Sequence, residues 1–138
     1  MTKGRVLLAM LGTDQHELGA VAIAGLLRDH GFEVVYLGRF QTPKTILQAA
    51  IDEDVDVIGI SCHSWEFLDY VPELIPLLGE SEVDAPVVLG GSVITAEDAL
   101  AMKALGIAEV FDSDAQSGAI LDRMSMLAAE RRARAGIG

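Results

Sequence analysis

Asp14 and His16 have the residue types and the spacing that could bind a metal ion. They lie two residues apart, between a short apolar run and a longer stretch with helical periodicity. A histidine can coordinate a metal through one ring nitrogen while the other nitrogen donates to a carboxylate, which fixes the tautomer and makes the ligand more basic. The pair therefore indicates a metal ligand and its hydrogen-bond partner. The alternatives are a purely structural histidine and an aspartate that caps the following helix.

The other candidate ligands do not complete an ordinary zinc site. Zinc takes four protein ligands in structural sites, whereas Cys62 and His63 lie in a separate segment with no recognisable zinc spacing. A single histidine is sufficient when a macrocycle already holds the metal, as in haem or a corrinoid. The pattern is therefore compatible with a cofactor of that kind.

The elements that must position these residues follow from the hydrophobic pattern. Five short apolar runs alternate with five stretches of helical periodicity, which indicates a parallel sheet covered on both faces. The predicted strands span residues 5–10, 33–37, 55–61, 86–89 and 108–111, and the predicted helices span residues 17–30, 43–53, 65–78, 95–105 and 115–132. We predict one domain over residues 1–138, with a disordered tail after about residue 134.

Local signals mark several helix ends. Thr42 is a plausible N-cap with Pro43 at the first helical position, and residues 95–98 form a capping box. Pro72 and Pro76 predict a break or a bend in the third helix.

Glycine and polar residues gather where three of the predicted strands end. These segments are residues 12–19, 61–64 and 90–92. In open parallel sheets, ligands bind beyond the carboxyl ends of the strands, near the point where the strand order reverses. Gly19 and the pair Gly90-Gly91 lack side chains, so a bulky group could approach the backbone there.

With these residues in order, the chain resembles the cobalamin-binding domain family of adenosylcobalamin-dependent mutases and methionine synthase. Three motifs carry the resemblance: Asp14-x-His16-x-x-Gly19, Ser61 at the position where the family has its Ser-x-Leu motif, and the double glycine Gly90-Gly91. The match extends from about residue 5 to residue 132. It implies a flavodoxin-like (Rossmann-like), doubly wound α/β fold with five parallel strands in the order 2-1-3-4-5.

The resemblance also implies roles for individual residues. His16 would be the lower axial ligand of cobalt, in place of the base of the cofactor's nucleotide tail, and Asp14 would be its hydrogen-bond partner. Six further residues would contact the cofactor: Gln15, Gly19, Ser61, His63, Gly90 and Gly91. Gly19 would make room along the tail, Ser61 would contact the tail's base, and Gly90 and Gly91 would line the slot that receives it. His63 replaces the leucine of the family motif; it would face the upper side of the corrin or the partner subunit, and a plain loop residue is the alternative.

Within the family, the segment Phe40-Gln41-Thr42-Pro43 and the strand at 55–61 resemble stand-alone small subunits of acyl-CoA mutases, in the methylmalonyl-CoA and 2-hydroxyisobutyryl-CoA branch. This implies an isomerase whose separate large TIM-barrel subunit binds the acyl-CoA and performs the radical rearrangement, in a heterodimer or heterotetramer. No catalytic residue is then expected in this chain. The alternatives are a corrinoid carrier for methyl transfer, a cobalamin-sensing module, and a cofactor-free or receiver-like domain.

Composition restricts the partners and the compartment. The net charge of −11 disfavours nucleic acid. No apolar run approaches a membrane span, no signal peptide is recognisable, and the single cysteine, Cys62, excludes an internal disulfide; these features predict a cytoplasmic protein. Cys62 is interpreted as a small buried residue, and Trp65 as a packing or interface residue. Arg131, Arg132 and Arg134 are interpreted as the solvated end of a helix.

Overall fold

The computed structural model of the chain describes residues 2–12 and 17–137. Strands and helices alternate as the sequence predicts. The strands are β1 (Arg5–Leu11), β2 (Glu33–Gln41), β3 (Val57–Ser61), β4 (Val87–Gly90) and β5 (Glu109–Phe111). The helices are α1 (Glu17–Asp29), α2 (Pro43–Glu53), α3 (Phe67–Glu80), α4 (Ala96–Leu105) and α5 (Ser117–Arg134).

The five strands form one parallel sheet in the order β2-β1-β3-β4-β5. The predicted flavodoxin-like, doubly wound arrangement is therefore confirmed. The chain moves outward from β1 to β2 and then returns to place β3 on the other side of β1. The strand order thus reverses between β1 and β3, and a crevice for ligands is expected beyond their carboxyl ends.

Each face of the sheet has its own hydrophobic core, because successive strand residues point to opposite faces. Leu7 and Ile58 belong to the core on the face covered by α2, α3 and α4. Val6, Leu8 and Val57 belong to the second core, to which α1 and α5 contribute residues such as Leu27 and Met124. α1 and α5 thus share one face of the sheet, and the space between them opens toward the carboxyl edge.

Strand β2 is longer than predicted. It continues past residue 37 to Gln41, and its pairing with β1 shifts register twice. Gly38 and Phe40 adopt positive φ angles of 75° and 68° near these shifts. Positive φ is uncommon for a bulky residue such as phenylalanine. The sequence pattern did not indicate this conformation, so the predicted strand ended too early.

The boundaries of α3 and β3 also differ from the prediction. α3 is not broken but runs from Phe67 through Pro72 and Pro76. Both prolines lie four residues apart on the exposed side of the helix, where solvent can satisfy the carbonyl groups that lose a backbone partner. β3 begins at Val57, two residues later than predicted. The side chain of the preceding Asp56 binds Arg131 and Arg132.

The interpretation of the C-terminal arginines as a solvated helix end is wrong for Arg131 and Arg132, whereas Arg134 is exposed as predicted. The Arg131 guanidinium is buried and pairs with Asp54 at 2.9 Å, Asp56 at 3.0 Å and Asp84 at 3.1 Å. Arg132 pairs with Asp56 at 3.2 Å. We call these five residues the arginine clamp. It fastens the end of α5 to the amino edge of the sheet through carboxylates that are distant in sequence.

Helix α4 begins with the predicted capping box, formed by Thr95 and Asp98. Thr42 caps α2 and Pro43 is its first residue, also as predicted. After α5, Gly136 turns with φ +76°, and the Ile137 N–H donates to the Arg132 carbonyl at 2.8 Å. Within the described ranges, no helix is both long and apolar enough to cross a membrane.

Candidate functional site

A pocket of about 320 Å³ opens at the carboxyl edge of the sheet, between α1 and α5. Leu8, Gly59 and Val88 from three neighbouring strands form its floor, and Ile23 and Met124 from the two helices stand on opposite sides. This volume lies at the lower end of the range of about 300–1,000 Å³ for small-molecule sites. The pocket could hold a flat, mainly apolar group with one end near the polar loops.

The structure brings most of the predicted site residues together at this pocket. Five of the eight line it: Gly19, Ser61, His63, Gly90 and Gly91. Asp14, Gln15 and His16 lie outside the described residues, so their roles stay predictions. They follow Gly12, at the end of β1, and precede Glu17, the first residue of α1, and Gly19 in the first turn of that helix lines the pocket.

The two glycines at the end of β4, Gly90 and Gly91, are needed for different structural reasons. A Cβ on Gly91 would overlap the carbonyl oxygen of Cys62, so this position requires a glycine for the two loops to pack. A Cβ on Gly90 would meet only the Phe111 carbonyl oxygen, at 3.7 Å, an ordinary contact distance. Gly90 therefore leaves open space in the pocket, whereas Gly91 permits a close approach of the backbone.

The His63 side chain forms part of the pocket wall. Its Nδ1 accepts a hydrogen bond from the Ser92 backbone N–H at 3.1 Å and lies 3.0 Å from the Ser92 hydroxyl. Because Nδ1 accepts, the neutral imidazole carries its proton on Nε2. A Cβ on Gly19 would lie 3.2 Å from that Nε2. The ring thus connects the loops after β3 and β4 and packs against the start of α1.

Asp112 lines the pocket at the start of the loop before α5. Its carboxylate accepts a hydrogen bond from the Asp114 backbone N–H at 2.9 Å, and its carbonyl oxygen accepts from the Ala115 N–H at 3.2 Å. The Asp112 carboxylate and carbonyl oxygen therefore both stabilise the turn that precedes α5.

Sequence reasoning missed the apolar residues that line the pocket. Leu8, Ile23, Ile120 and Met124 are examples. In the sequence they are indistinguishable from ordinary core residues, since they obey the same strand and helix periodicity. The alternation along β1, which puts Leu8 on the face of α1 and α5, is the signal that could have indicated one of them.

Large apolar side chains are exposed at or just beyond the carboxyl ends of three strands. Leu18 is 84% exposed, Phe40 61% and Trp65 65%. Most of the Trp65 side chain therefore lies outside the core of the described residues. Of its two interpretations, packing and interface, the interface role stays a prediction. Cys62 is fully buried, as predicted.

A model of the B12 binding domain matches residues 4–118. The chain therefore belongs to the B12 binding domain family. The 2-hydroxyisobutanoyl-CoA mutase small subunit of Aquincola tertiaricarbonis is 42% identical over 130 residues, covering 94% of this chain and 96% of the relative. The pivalyl-CoA mutase small subunit of Xanthobacter autotrophicus is 37% identical, covering 94% of this chain and 86% of the relative. The family of small mutase subunits predicted from the motifs is thus confirmed.

Longer relatives and solved structures also match. Ethylmalonyl-CoA mutase of Cereibacter sphaeroides is 36% identical over 100 residues, which are 72% of this chain and 15% of that enzyme. The crystal structure of a cobalamin-binding protein from Desulfitobacterium hafniense superposes with a TM-score of 0.76 at 19% identity, covering 89% of this chain and 58% of that one. At this identity, the structural likeness shows the fold alone.

Proposed function

We propose that this chain is the cobalamin-binding small subunit of an adenosylcobalamin-dependent acyl-CoA mutase. It holds the cofactor while a separate large subunit binds the acyl-CoA. The observation that carries the proposal is the pocket of about 320 Å³ at the carboxyl edge, where residues of all three family motifs meet: Gly19, Ser61 and Gly90. Membership of the B12 binding domain family supports the same ligand.

The residues of the pocket suit the nucleotide tail of a cobalamin. The base of such a tail is a flat aromatic group, and the floor of Leu8 and Val88 offers it apolar contacts. The Ser61 hydroxyl, at the end of β3, can donate to or accept from a ring nitrogen of the base. The open space at Gly90 accommodates the thickness of the group.

We assign the protein's roles as follows. His16 would hold the cobalt through one ring nitrogen, Asp14 would accept the hydrogen bond of its second ring nitrogen, and Gln15 would contact the cofactor beside them. His63 presents its Nε2–H at the pocket wall. Adenosylcobalamin, when bound, supplies the homolytic chemistry of a carbon-skeleton rearrangement. This chain binds and orients the cofactor and contributes no catalytic side chain.

The partner we propose is a large TIM-barrel subunit, in a heterodimer or heterotetramer located in the cytoplasm. Two relatives of almost the same length bear small-subunit names. Ethylmalonyl-CoA mutase, in which the matched region is only 15% of the chain, supports the view that the remaining machinery is supplied separately here.

The experiment is an EPR and absorbance measurement after the protein has been mixed with cobalamin and gel-filtered, with and without the large subunit. We expect the corrin to co-elute and its Co(II) signal to show nitrogen coupling that His16→Ala abolishes. The matched control is His30→Ala, because the exposed His30 lies at the other end of α1 and bonds only locally, to the Leu26 carbonyl. Equal coupling in wild type and His16→Ala would contradict the proposal, as would a lack of corrin retention even with the large subunit.

A further inference from the structure

The chain leaves β1 at a tightly constrained point. Gly12 has φ +50°, in the left-handed region, and its N–H donates to the Gln41 carbonyl at 2.8 Å. A Cβ at this position would overlap the Glu66 carboxylate and lie 3.1 Å from the Tyr70 hydroxyl. The Glu66 side chain therefore packs directly on the backbone where the segment carrying Asp14 and His16 begins.

Glu66 lies at the start of α3, where a different type of residue is usual. It is the N-cap of α3, but its side chain makes no capping hydrogen bond. Serine, threonine, aspartate and asparagine are the usual N-cap residues. The carboxylate is instead directed away from its helix, where Oε1 accepts from the Ser64 hydroxyl at 3.1 Å and Oε2 faces Gly12.

The chain is also attached at the other end of the same segment. Glu17, the first residue of α1, pairs with Arg39 at 3.6 Å, and both side chains are 41% exposed. Exposed ion pairs of this kind contribute about 0–1 kcal/mol. Glu17 also forms a side-chain hydrogen bond with Tyr36, so the chain is held on both sides of the segment.

We propose that Glu66 is a positioning residue, which holds Gly12, the residue from which the chain continues to Asp14 and His16, against the start of α3 and thereby supports cobalamin binding through His16. The role of His16 rests on the proposed function. The contact of Glu66 with Gly12 does not depend on any ligand. Substitution of a residue that orients a metal ligand typically lowers metal affinity or activity by about 10- to 100-fold.

The first test follows backbone hydrogen–deuterium exchange in the protein without cofactor. Glu66→Ala should accelerate exchange in peptides that cover residues 12–16, while peptides from β4 and β5 exchange as in wild type. Glu66→Gln keeps the size of the side chain and an acceptor for Ser64, so it should restore slow exchange. Glu73→Ala is the matched control, because Glu73 is an exposed glutamate on the same helix. Identical exchange in Glu66→Ala and Glu73→Ala would overturn the inference.

The second test measures the Co(II) EPR signal and cobalamin retention of the same variants. Glu66→Ala should lose about tenfold in affinity and show a smaller fraction of nitrogen-coupled cobalt, and Glu66→Gln should recover most of both. If wild type shows His16-dependent coupling and Glu66→Ala matches it, the inference fails while the proposed function stands. If Glu66→Ala alters exchange but wild type retains no corrin, the positioning contact stands and the proposed function fails.

Discussion

Two adjacent glycines, Gly90 and Gly91, form one sequence motif but perform two different tasks. The sequence identified both as slot-lining residues, and both do line the pocket. It could not separate them, because the reason for Gly91 is the carbonyl oxygen of Cys62, which is distant along the chain. Similarly, the sequence located His63 near the site, but not its hydrogen bonds to Ser92 in another loop.

This difference predicts opposite outcomes for two alanine substitutions. Gly91→Ala forces two backbones apart and should lower the free energy of unfolding by about 3 kcal/mol, as overpacked interiors do. Gly90→Ala should leave stability within about 0.5 kcal/mol of wild type, but should weaken cobalamin binding by about 1–3 kcal/mol, because the methyl group occupies the pocket. Urea unfolding and gel-filtration retention measure the two effects. Equal destabilisation by both substitutions would contradict this division of roles.

At the scale of elements, the arginine clamp connects α5 to the amino edge of the sheet. Asp56 is its buried member: the side chain is 3% exposed and also accepts from the Arg5 backbone N–H at 2.8 Å. Removing one partner of a buried ion pair costs more than the pair contributes, because the other charge remains desolvated. The element order was predictable from periodicity, whereas the clamp depends on loops that only the folded chain brings together.

We predict that Asp56→Asn lowers the free energy of unfolding by about 3 kcal/mol. Asp54→Asn is the matched control, since Asp54 pairs with the same arginine but its side chain is 74% exposed, and asparagine tolerates its positive φ of 47°. The control should cost less than about 1 kcal/mol. Chemical denaturation of the three proteins measures both values, and equal losses would show that burial does not decide the contribution of this clamp.

A second connection between elements is sensitive to pH. Glu109 of β5 pairs with Lys103 of α4 and with Arg123 of α5, each at 3.2 Å. Partial burial acts to raise the pKa of Glu109, but the hydrogen bonds from Lys103, the Val110 N–H and Arg123 outweigh it and lower that pKa below its ordinary value of 4.5.

Because its folded pKa is lowered, Glu109 stabilises the protein fully above pH 4.5, and this stabilisation is lost as the pH falls through the lower folded pKa. Glu109→Gln should therefore reduce stability at pH 7 and flatten its decline in acid. Urea midpoints for both proteins between pH 7 and about pH 3 measure the effect. Parallel curves for wild type and variant would show that this carboxylate is not linked to folding.

At the scale of the whole molecule, the family resemblance predicted the sheet order and part of the pocket's polar lining, Ser61 and His63, but not Asp112 and Ser113. The family motifs occupy strand ends, and parallel strands bring those ends to one edge. The pocket itself could not be predicted, because it is the space that α1 and α5 leave between them on one face. Its volume depends on how far apart the two helices pack, and no local pattern specifies that distance.

Trp65, the single tryptophan, provides a probe of this edge. It is 65% exposed and lies two residues from His63 in the loop after β3. Since a corrin absorbs where tryptophan emits, cobalamin bound at the carboxyl edge should quench its fluorescence, with saturation at one corrin per chain. The measurement is a fluorescence titration beside a parallel gel-filtration assay. Corrin that co-elutes without any quenching would bind somewhere else on the molecule.

The positive φ of Phe40 has a consequence for laboratory evolution. Holding a bulky residue in the left-handed region costs on the order of 1–3 kcal/mol, and the aromatic ring is exposed rather than buried in compensation. A library selected only for heat resistance should therefore replace Phe40 early, with glycine or asparagine favoured. A library selected for a working complex with the large subunit should retain it. The two selections would diverge first at the end of β2 and not in the core.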